Sequence, residues 1–232
     1  MSNPSRVGVS SRILAVFFIL LAGNACKAQQ TYVSRYDIYT GFSDLNTPAL
    51  NSLNQVGFHL QAGVNNRSWL SSGFDYSVQT GSTVLTTNLA TPALQQQLAA
   101  LPPGYHLALP IDVNTQTFTI GSQYVYRHFA KTTLFLRPAL SAFRIKSVPH
   151  PADPIAALVS SEIAPQGEKT DWVGAYGVGG GAEFAASKHL GIRVQLDAVY
   201  NHPYNDILGN GNWTYRYSVG PAFHFGRNIL DQ

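Results

Sequence analysis

The chain has 232 residues, room for one β domain or two small ones, and only 12% of them are charged, about half the share of an ordinary soluble domain. Its formal net charge of +3 comes from the first residues, because Arg6, Arg12 and Lys27 lie in a segment without acids. The remaining chain has twelve basic and twelve acidic residues, which gives no reason to expect a nucleic-acid partner. The single cysteine, Cys26, lies in the same segment, which excludes disulfides, a cysteine nucleophile and a zinc–thiolate site from the rest.

The first residues have the order of an export signal. Two arginines precede the apolar run 13–22, and small residues follow it. The run is too short to span a bilayer as a helix. We expect residues 1–28 to be a cleaved signal peptide and residues 29–232 to form a single mature domain. The alternative is a lipid-modified Cys26, but Gly23 stands three places earlier, where that modification needs an aliphatic residue.

Eight segments of the remaining chain alternate between large apolar residues and small or polar residues, which predicts β-strands with two unlike faces. In chain order they are Tyr32–Phe42, Val56–Val64, Ser68–Val78, Thr115–His128, Thr133–Ile145, Asp171–Ala185, Leu190–Tyr200 and Trp213–Phe225. The connections alternate between long and short, beginning with the long Ser43–Gln55. Short turns at one end and long loops at the other are typical of a transmembrane β-barrel whose apolar face meets lipid.

Two of the long connections carry helix signals. Thr91 and Pro92 predict a cap with proline in the first turn, followed by an apolar stripe: Leu94, Leu98 and Leu101. Asp153 and Pro154 predict a second cap of the same kind. We expect the first helix to lie over the barrel mouth or on the lipopolysaccharide layer, or to pack only within its own loop.

Three residues fit the strand pattern poorly. Pro138 and Pro221 lie within predicted strands, and a proline has no N–H to donate to the hydrogen-bonded ladder of a closed barrel. We expect a bulge or a locally broken hydrogen bond at each. Trp69 falls on the small-residue face of its strand, and we expect it to plug the barrel end near the turn.

The last strand carries a polar residue, a glycine and two aromatics at fixed spacing: Ser218, Gly220, Phe223 and Phe225. This spacing resembles the closing-strand assembly signal of bacterial outer-membrane barrels. With the strand pattern, the whole mature chain resembles the small eight-stranded OmpA/OmpX-type barrel family. The resemblance implies an all-β fold, an eight-stranded antiparallel up-and-down transmembrane β-barrel with short periplasmic turns and long extracellular loops. It also implies a location in the bacterial outer membrane.

Most of the unusual polar residues share the face that would line the lumen. The predicted lumen network comprises Arg35, Asp37, His59, Asp75, Arg127, Arg137, Glu183, Arg193, Asp197 and Arg216, together with Gln61, Gln123, Gln195 and His224. Five arginines face four acids in this set, and isolated charges in a narrow interior are costly, so opposite signs should pair. We interpret the set as a structural, salt-bridged core. The alternative is a gated polar path or a small-ligand site.

The pattern favours an integral outer-membrane protein with a structural or surface-interaction role and no catalytic chemistry. The expected partners are outer-membrane lipid, lipopolysaccharide, the barrel assembly machinery and an external ligand bound by the loops, with no nucleic acid and no cofactor. Trp172, Tyr200, Trp213 and Tyr215 should anchor the outer interface. The local candidates for catalysis are His106, His150, Asn201, His202 and Asp206, but none lies beside a serine in a recognisable arrangement. The seven histidines show no paired metal-ligand spacing.

Three other functions remain open from the sequence. The first is a secreted lipocalin-like barrel that binds an apolar ligand, which requires the aromatic face to point inward. The others are a small lipid-modifying enzyme of the outer membrane and a narrow pore.

Overall fold

The computed structural model describes residues 30–98 and 105–230. The predicted signal peptide, Cys26 and Leu101 lie outside this part of the chain. The eight strands are β1 (Ser34–Thr47), β2 (Leu53–Arg67), β3 (Leu70–Thr86), β4 (Ala108–Tyr126), β5 (Thr132–Pro149), β6 (Lys169–Ala185), β7 (Leu190–Asn201) and β8 (Asn212–Asn228). Each pairs antiparallel with its neighbours in sequence, and β8 pairs with β1 to close the barrel. The predicted fold class, an up-and-down eight-stranded barrel, is confirmed.

The two ends of the barrel differ in their connections. One end, the turn end, has the connections 68–69, 127–131 and 186–189 and both described termini; the other, the loop end, has 48–52, 87–107, 150–168 and 202–211. The predicted long connection Ser43–Gln55 is wrong, because β1 and β2 continue through most of it and leave only residues 48–52 as a loop. The outward residues in this part of both strands are polar. We had ended each predicted strand where its outward residues stop being apolar, so this part was missed.

The interior residues at the loop end are apolar. Along β1, Leu45 is buried inside the barrel while its neighbours Asp44 and Asn46 lie partly exposed outside. On β5, Phe143 and Ile145 are buried inside and flank the outward-facing Arg144. The inside and outside have therefore exchanged polarity relative to the middle of the barrel. This exchange is expected where strands leave lipid and their outer face meets water.

Both prolines within strands keep their register. The β5–β6 pairing is continuous through Pro138, and the β7–β8 pairing is continuous through Pro221. On the opposite side of each proline the pairing has a gap: between Ile120↔Leu140 and Tyr124↔Leu136 in β4–β5, and between Tyr39↔Ala222 and Phe42↔Val219 in β1–β8. The prediction of a local break is confirmed without a bulge, because each gap lies on one side only and preserves the register.

Trp69 does not plug the barrel. It lies in the turn between β2 and β3, about half exposed (47%), and stacks on Tyr124 at 6.2 Å between ring centroids. The guanidinium of Arg67 lies 5.9 Å from the centre of the Trp69 ring. The prediction is wrong because Trp69 belongs to the turn and not to the strand, so strand alternation does not decide where its side chain points.

In the described part of the loop-end connections, a 3₁₀ helix lies at Thr87–Leu89 and two α-helices follow it: α1 (Pro92–Leu98) and α2 (Pro154–Ile163). Thr91 Oγ1 accepts a hydrogen bond from the Leu94 amide at 3.4 Å. The Asp153 carboxylate caps α2 by accepting from the amides of Ile155 and Ala156 at 2.9 and 2.8 Å, as predicted. In the described part of the chain, no helix has the length and hydropathy needed to cross a membrane.

Candidate functional site

A belt of large apolar side chains surrounds the middle of the barrel and points outward. Its members include Phe42, Leu60, Phe74, Ile120, Leu136, Leu140, Tyr176, Val178, Leu196, Val219 and Phe223, all of which are exposed. Leu140 is 63% exposed and Phe42 is 67% exposed. On a soluble barrel, positions with such exposure are normally occupied by polar residues. The lipocalin-like alternative required this face to point inward and is wrong on that point.

The four predicted interface aromatics lie toward the loop end of this belt. Trp172 and Trp213 are exposed, and Tyr200 and Tyr215 are half-buried. Trp172 stacks on Phe118 at 5.9 Å between ring centroids, and Trp213 meets Tyr200 edge-on at 5.8 Å. Amphipathic rings in this position suit a boundary between hydrocarbon and water. Their anchoring role remains a prediction.

The centre of the lumen is filled by a four-membered ion-pair cluster: Asp75, Arg137, Asp197 and Arg216. Arg137 contacts Asp75 at 2.6 Å and Asp197 at 2.9 Å, and Arg216 contacts the same two carboxylates at 3.2 and 2.7 Å. All four side chains are buried. Two arginines shared by two aspartates leave no net charge in the cluster, which is the condition for burying ions at tolerable cost.

The close packing of this cluster requires a glycine on β6. A Cβ atom at Gly179 would lie 1.9 Å from Asp197 Oδ1 and 3.1 Å from Arg137 Nε. Gly179 therefore leaves the space that the ion pair occupies. The same strand carries Gly177 and Gly181 on its inner side, where a Cβ would collide with the backbone of β7.

His59 links Asp75 of the cluster to Ser218 of β8. Its Nε2 lies 2.9 Å from Asp75 Oδ1, and its Nδ1 lies 3.0 Å from Ser218 Oγ. These three residues have the composition of a catalytic triad, but His59 is fully buried, Ser218 is 4% exposed and Asp75 is held by two arginines. A substrate has no access to the serine in this closed interior. The arrangement is a cross-link between β2, β3 and β8, and sequence spacing did not suggest it.

A second ion-pair cluster lies toward the turn end. Arg193 contacts Glu183 at 2.7 Å and Asp37 at 3.4 Å, and it donates a hydrogen bond to Gln61 at 3.0 Å. His224 Nε2 lies 2.6 Å from the other oxygen of Glu183. The Arg193 guanidinium also lies over the ring of Tyr39, 5.5 Å from its centroid. Together the two clusters close the middle of the lumen with side chains, as the interior of an eight-stranded barrel allows.

Two residues of the predicted network lie apart from these clusters. Arg35 is half-buried at a register shift between Ser34 and Tyr36, and in the described chain it makes no ion pair with the network. Arg127 follows β4 and donates to Asn65 Oδ1 at 2.8 Å and to the Ser68 carbonyl, so it closes the turn end. The other twelve residues of the predicted network lie on the inner face, as alternation predicted. Alternation does not detect the extra residue at a bulge or the end of a strand.

The residues that resemble an assembly signal divide between the two faces of β8. Ser218 points into the lumen, while Phe223 and Phe225 point outward and are nearly half exposed. Phe225 stacks on Tyr36 of β1 at 5.7 Å between ring centroids. A Cβ at Gly220 would lie 2.1 Å from the carbonyl oxygen of Thr40, so this position allows β1 and β8 to approach closely at the closure. Their recognition by assembly machinery remains a prediction.

The loop end of the lumen contains an apolar chamber, which we call the vestibule. Its wall comes from the strands through Leu45, Leu53, Leu85, Leu109, Val113 and Phe143. Its upper side comes from the loops through Leu50, Ile163, Ile207 and Leu208. The vestibule holds about 920 Å³ of empty space, part of it open to solvent. Strand alternation predicted a polar, ion-paired lumen and did not indicate this chamber.

The last loop is fixed over the vestibule by Tyr204. Its hydroxyl lies 2.9 Å from both the Ile145 carbonyl oxygen and Ser147 Oγ, and its amide donates to Asp171 Oδ2 at 2.6 Å. Burial raises the pKa of the Tyr204 phenol, which keeps it a neutral hydrogen-bonding group. The amide of Thr91 donates to the Ile207 carbonyl at 2.7 Å and joins this loop to the one that carries α1.

The histidines and acids of the loops are engaged separately. His150 Nε2 lies 2.9 Å from Asp112, His202 Nε2 lies 3.1 Å from the Leu208 carbonyl oxygen, and Asp206 pairs with Lys169. Asn201 donates to Thr214 at 3.1 Å at the ends of β7 and β8. Within residues 30–98 and 105–230, no three His, Cys, Asp or Glu side chains gather in a group that would hold a metal ion.

Comparison with known proteins gives structural neighbours only. No protein-family model matches the sequence, and no curated protein is significantly similar to it. Neisserial surface protein A (NspA) is similar in structure, with a TM-score of 0.56, 11% sequence identity, and coverage of 83% of this chain and 98% of that one.

Two further solved structures align with the chain less closely. The outer-membrane protein OprG from Pseudomonas aeruginosa covers 85% of this chain and 99% of its own at 9% identity, with a TM-score of 0.48. Ail from Yersinia pestis, in complex with the heparin analogue sucrose octasulfate, covers 82% and 97% at 10% identity, with a TM-score of 0.47. From its closed topology and its likeness to NspA, the chain has the fold of the small eight-stranded outer-membrane β-barrels.

Proposed function

We propose that this chain is an integral protein of the bacterial outer membrane with a structural or surface-interaction role and no catalytic chemistry. The observation that carries the proposal is the closed belt of exposed apolar side chains around a ladder without free edges. Such a belt would cost free energy in water at every residue, whereas lipid covers it at no cost. The polar outer face of the strands at the loop end supports the same orientation, with that end in the aqueous phase outside.

The paired charges in the lumen favour a structural role of the lumen over conduction of ions. Seven charged side chains of the two clusters are buried and paired: Asp37, Asp75, Arg137, Glu183, Arg193, Asp197 and Arg216. Opening a path would separate several ion pairs at once. Any specificity therefore belongs to the loop end, where the connections and the vestibule meet the exterior.

The proposed partners follow from the surfaces. The apolar belt and its aromatic rim would contact outer-membrane lipid and lipopolysaccharide. The outward Phe223 and Phe225 on the closing strand would be available to the assembly machinery before β8 pairs with β1. An external ligand would be bound by the loops, and we propose neither a nucleic-acid partner nor a cofactor.

A substitution that places a charged side chain in the apolar belt tests membrane insertion. Leu196→Arg places a guanidinium on the outward face of β7, where Leu196 is 46% exposed. We expect it to reduce the stability of the inserted barrel by about 2–4 kcal/mol if the position lies near the bilayer midplane. The measurement is outer-membrane fractionation followed by urea unfolding, with heat-modifiable gel mobility as the sign of a folded barrel.

The matched control is Leu158→Arg on α2, since Leu158 is 68% exposed outside the belt. We expect this variant to fractionate and unfold like the wild type. Equal behaviour of Leu196→Arg and the wild type, or a wild-type protein found freely soluble in periplasmic extract, would overturn the proposal.

A further inference from the structure

We infer that the vestibule is a binding site for an uncharged hydrophobic molecule, such as a hydrocarbon chain or an aromatic compound. The inference adds a class of ligand to the proposed outer-membrane role. It rests on that proposed role only for the direction from which the ligand enters the barrel. The site lies in the barrel interior, above the ion-pair clusters and below the loops.

The empty space is the first argument. Protein interiors are packed as densely as organic crystals, and voids larger than a water molecule are few. The space between the lining residues that no atom fills amounts to about 920 Å³, a volume that includes open solvent at its mouth. The side chains around it belong to a cluster of buried apolar residues, and they leave this space unfilled. The lining consists of leucines and a phenylalanine from the strands and of aliphatic residues from the loops.

The polar groups at the floor of the vestibule satisfy one another. Gln55 donates to the Val113 carbonyl at 3.1 Å and accepts from Thr115 Oγ1 at 3.0 Å. Thr47 and Thr214 form a hydrogen bond of 3.1 Å. No charged group of the central cluster lines the vestibule, so the floor offers a ligand no uncompensated charge. Binding would therefore depend on apolar contact, and the ligand that gains most is uncharged.

The charged group at the wall is also engaged. Lys169 lines the vestibule and forms an ion pair with Asp206 of the last loop. A carboxylate or phosphate ligand would have to break that pair to bind there. An uncharged molecule enters without this cost. Apolar cavities lined by aliphatic and aromatic residues stay dry and take up apolar ligands, so the preference follows from the lining itself.

The vestibule is separated from lipid by the barrel wall. The strand residues that line it alternate with outward residues that are polar at this level, such as Asp44, Asn46 and Arg144. A molecule in the vestibule is therefore inside the barrel and above the apolar belt. Its surroundings differ measurably from those of the same molecule dissolved in the bilayer.

The test uses N-phenyl-1-naphthylamine, an uncharged fluorophore whose emission rises in apolar surroundings. The folded full-length barrel is placed in lipid nanodiscs whose acyl chains carry bromine, which quenches fluorophores dissolved in the bilayer. We expect saturable binding of one probe per barrel, with emission that the bromine does not quench, and displacement by 1-decanol. Emission that never saturates and is quenched as fully as in nanodiscs without protein would overturn the inference.

Two matched valine substitutions locate the site. Val113→Trp fills the vestibule, while Val194→Trp adds the same side chain to the outward face of β7. We expect at least a tenfold loss of probe affinity in the first and no loss in the second. Equal affinities in both variants would contradict the assignment. If Val113→Trp lacks heat-modifiable mobility, Leu85→Gln, which makes the wall polar without filling it, is expected to weaken binding and replaces it in the comparison.

The two proposals fail differently. A barrel that fractionates with the outer membrane and shows heat-modifiable mobility but binds no probe overturns the vestibule site alone. A wild-type chain that does not insert overturns the membrane role, whatever the probe does.

Discussion

At the scale of single residues, the absence of a side chain at Gly179 leaves room for the ion pairs beside it. Gly179→Ala would bring a Cβ to 1.9 Å from an oxygen of Asp197, which is already held by Arg137, Arg216 and Gln195. The cluster must shift to accept the methyl group. We expect the free energy of unfolding to fall by about 1–3 kcal/mol, the usual cost of overpacking a full interior. Urea unfolding of the refolded barrel, followed by tryptophan fluorescence, measures it.

The control for this substitution lies on the same strand. Gly174 is exposed, and a Cβ built there has no atom within 4 Å. Gly174→Ala should change the free energy of unfolding by no more than about 0.5 kcal/mol, as surface substitutions do. If the two variants unfold alike, the ion-pair cluster is not as closely packed as its distances indicate.

The pairing of charges shows what sequence can and cannot predict at this scale. Alternation placed Asp75, Arg137, Asp197 and Arg216 on the inner face, because a strand has only two faces. It could not say that Arg137 of β5 meets Asp75 of β3 and Asp197 of β7, since those strands are not neighbours. Contacts across a lumen depend on barrel diameter and stagger, which no local pattern encodes. The separation of Arg35 from the clusters was not predicted for a related reason, because a register shift cannot be detected in one strand.

At the scale of elements, the strand ends were the main error, and the cause is physical. A period of two reports that two faces differ, but it does not report which medium each face meets. In the middle of the barrel the outer medium is lipid, so apolar residues point out. Beyond the lipid the outer medium is water, and Leu45 points in while Asp44 and Asn46 point out. The same alternation continues with opposite meaning, and this is why the vestibule escaped prediction.

The cap of α2 gives a prediction with a definite pH direction. Hydrogen bonds from the Ala156 and Ile155 amides and from the Tyr105 hydroxyl hold the pKa of Asp153 below its ordinary value. A lowered pKa in the folded state means that the cap stabilises α2 fully above the ordinary aspartate pKa, about 3.9, and that this contribution is lost as the pH falls through the lowered value. We expect the start of α2 to loosen only in that acidic range.

A spin label at Leu158→Cys measures this loosening, because residues 29–232 contain no cysteine of their own. The label should become more mobile in acid in the parent and should not respond to pH in an Asp153→Asn variant. Asparagine caps a helix nearly as well as aspartate but does not titrate. A pH response of the same size in Asp153→Asn would show that another group controls α2.

At the scale of the whole molecule, the barrel consists of three layers along its axis. A cavity at the turn end is lined by Asp37, Arg127, Glu183, Arg193 and His224. The ion-pair clusters fill the middle, and the apolar vestibule occupies the loop end. This order explains why the strand pattern predicted the middle of the barrel and not its loop end. The vestibule is built from the same residue types as the apolar belt, leucine and phenylalanine, but they point inward.

The layered interior predicts that the wild-type barrel does not conduct ions. The cavities at both ends are partly open to solvent, but Tyr39, His59, Asp75 and Asp197 between them are buried almost completely. An ion crossing this layer would have to displace paired charges in a low-dielectric interior, where each unpaired charge costs several kcal/mol. Planar-bilayer recordings of the inserted protein should show no unit conductance steps, with heat-unfolded protein added as the control for detergent leaks. Regular steps from the folded form alone would mean that the ion pairs open as a gate, and the middle layer would then be a path and not a plug.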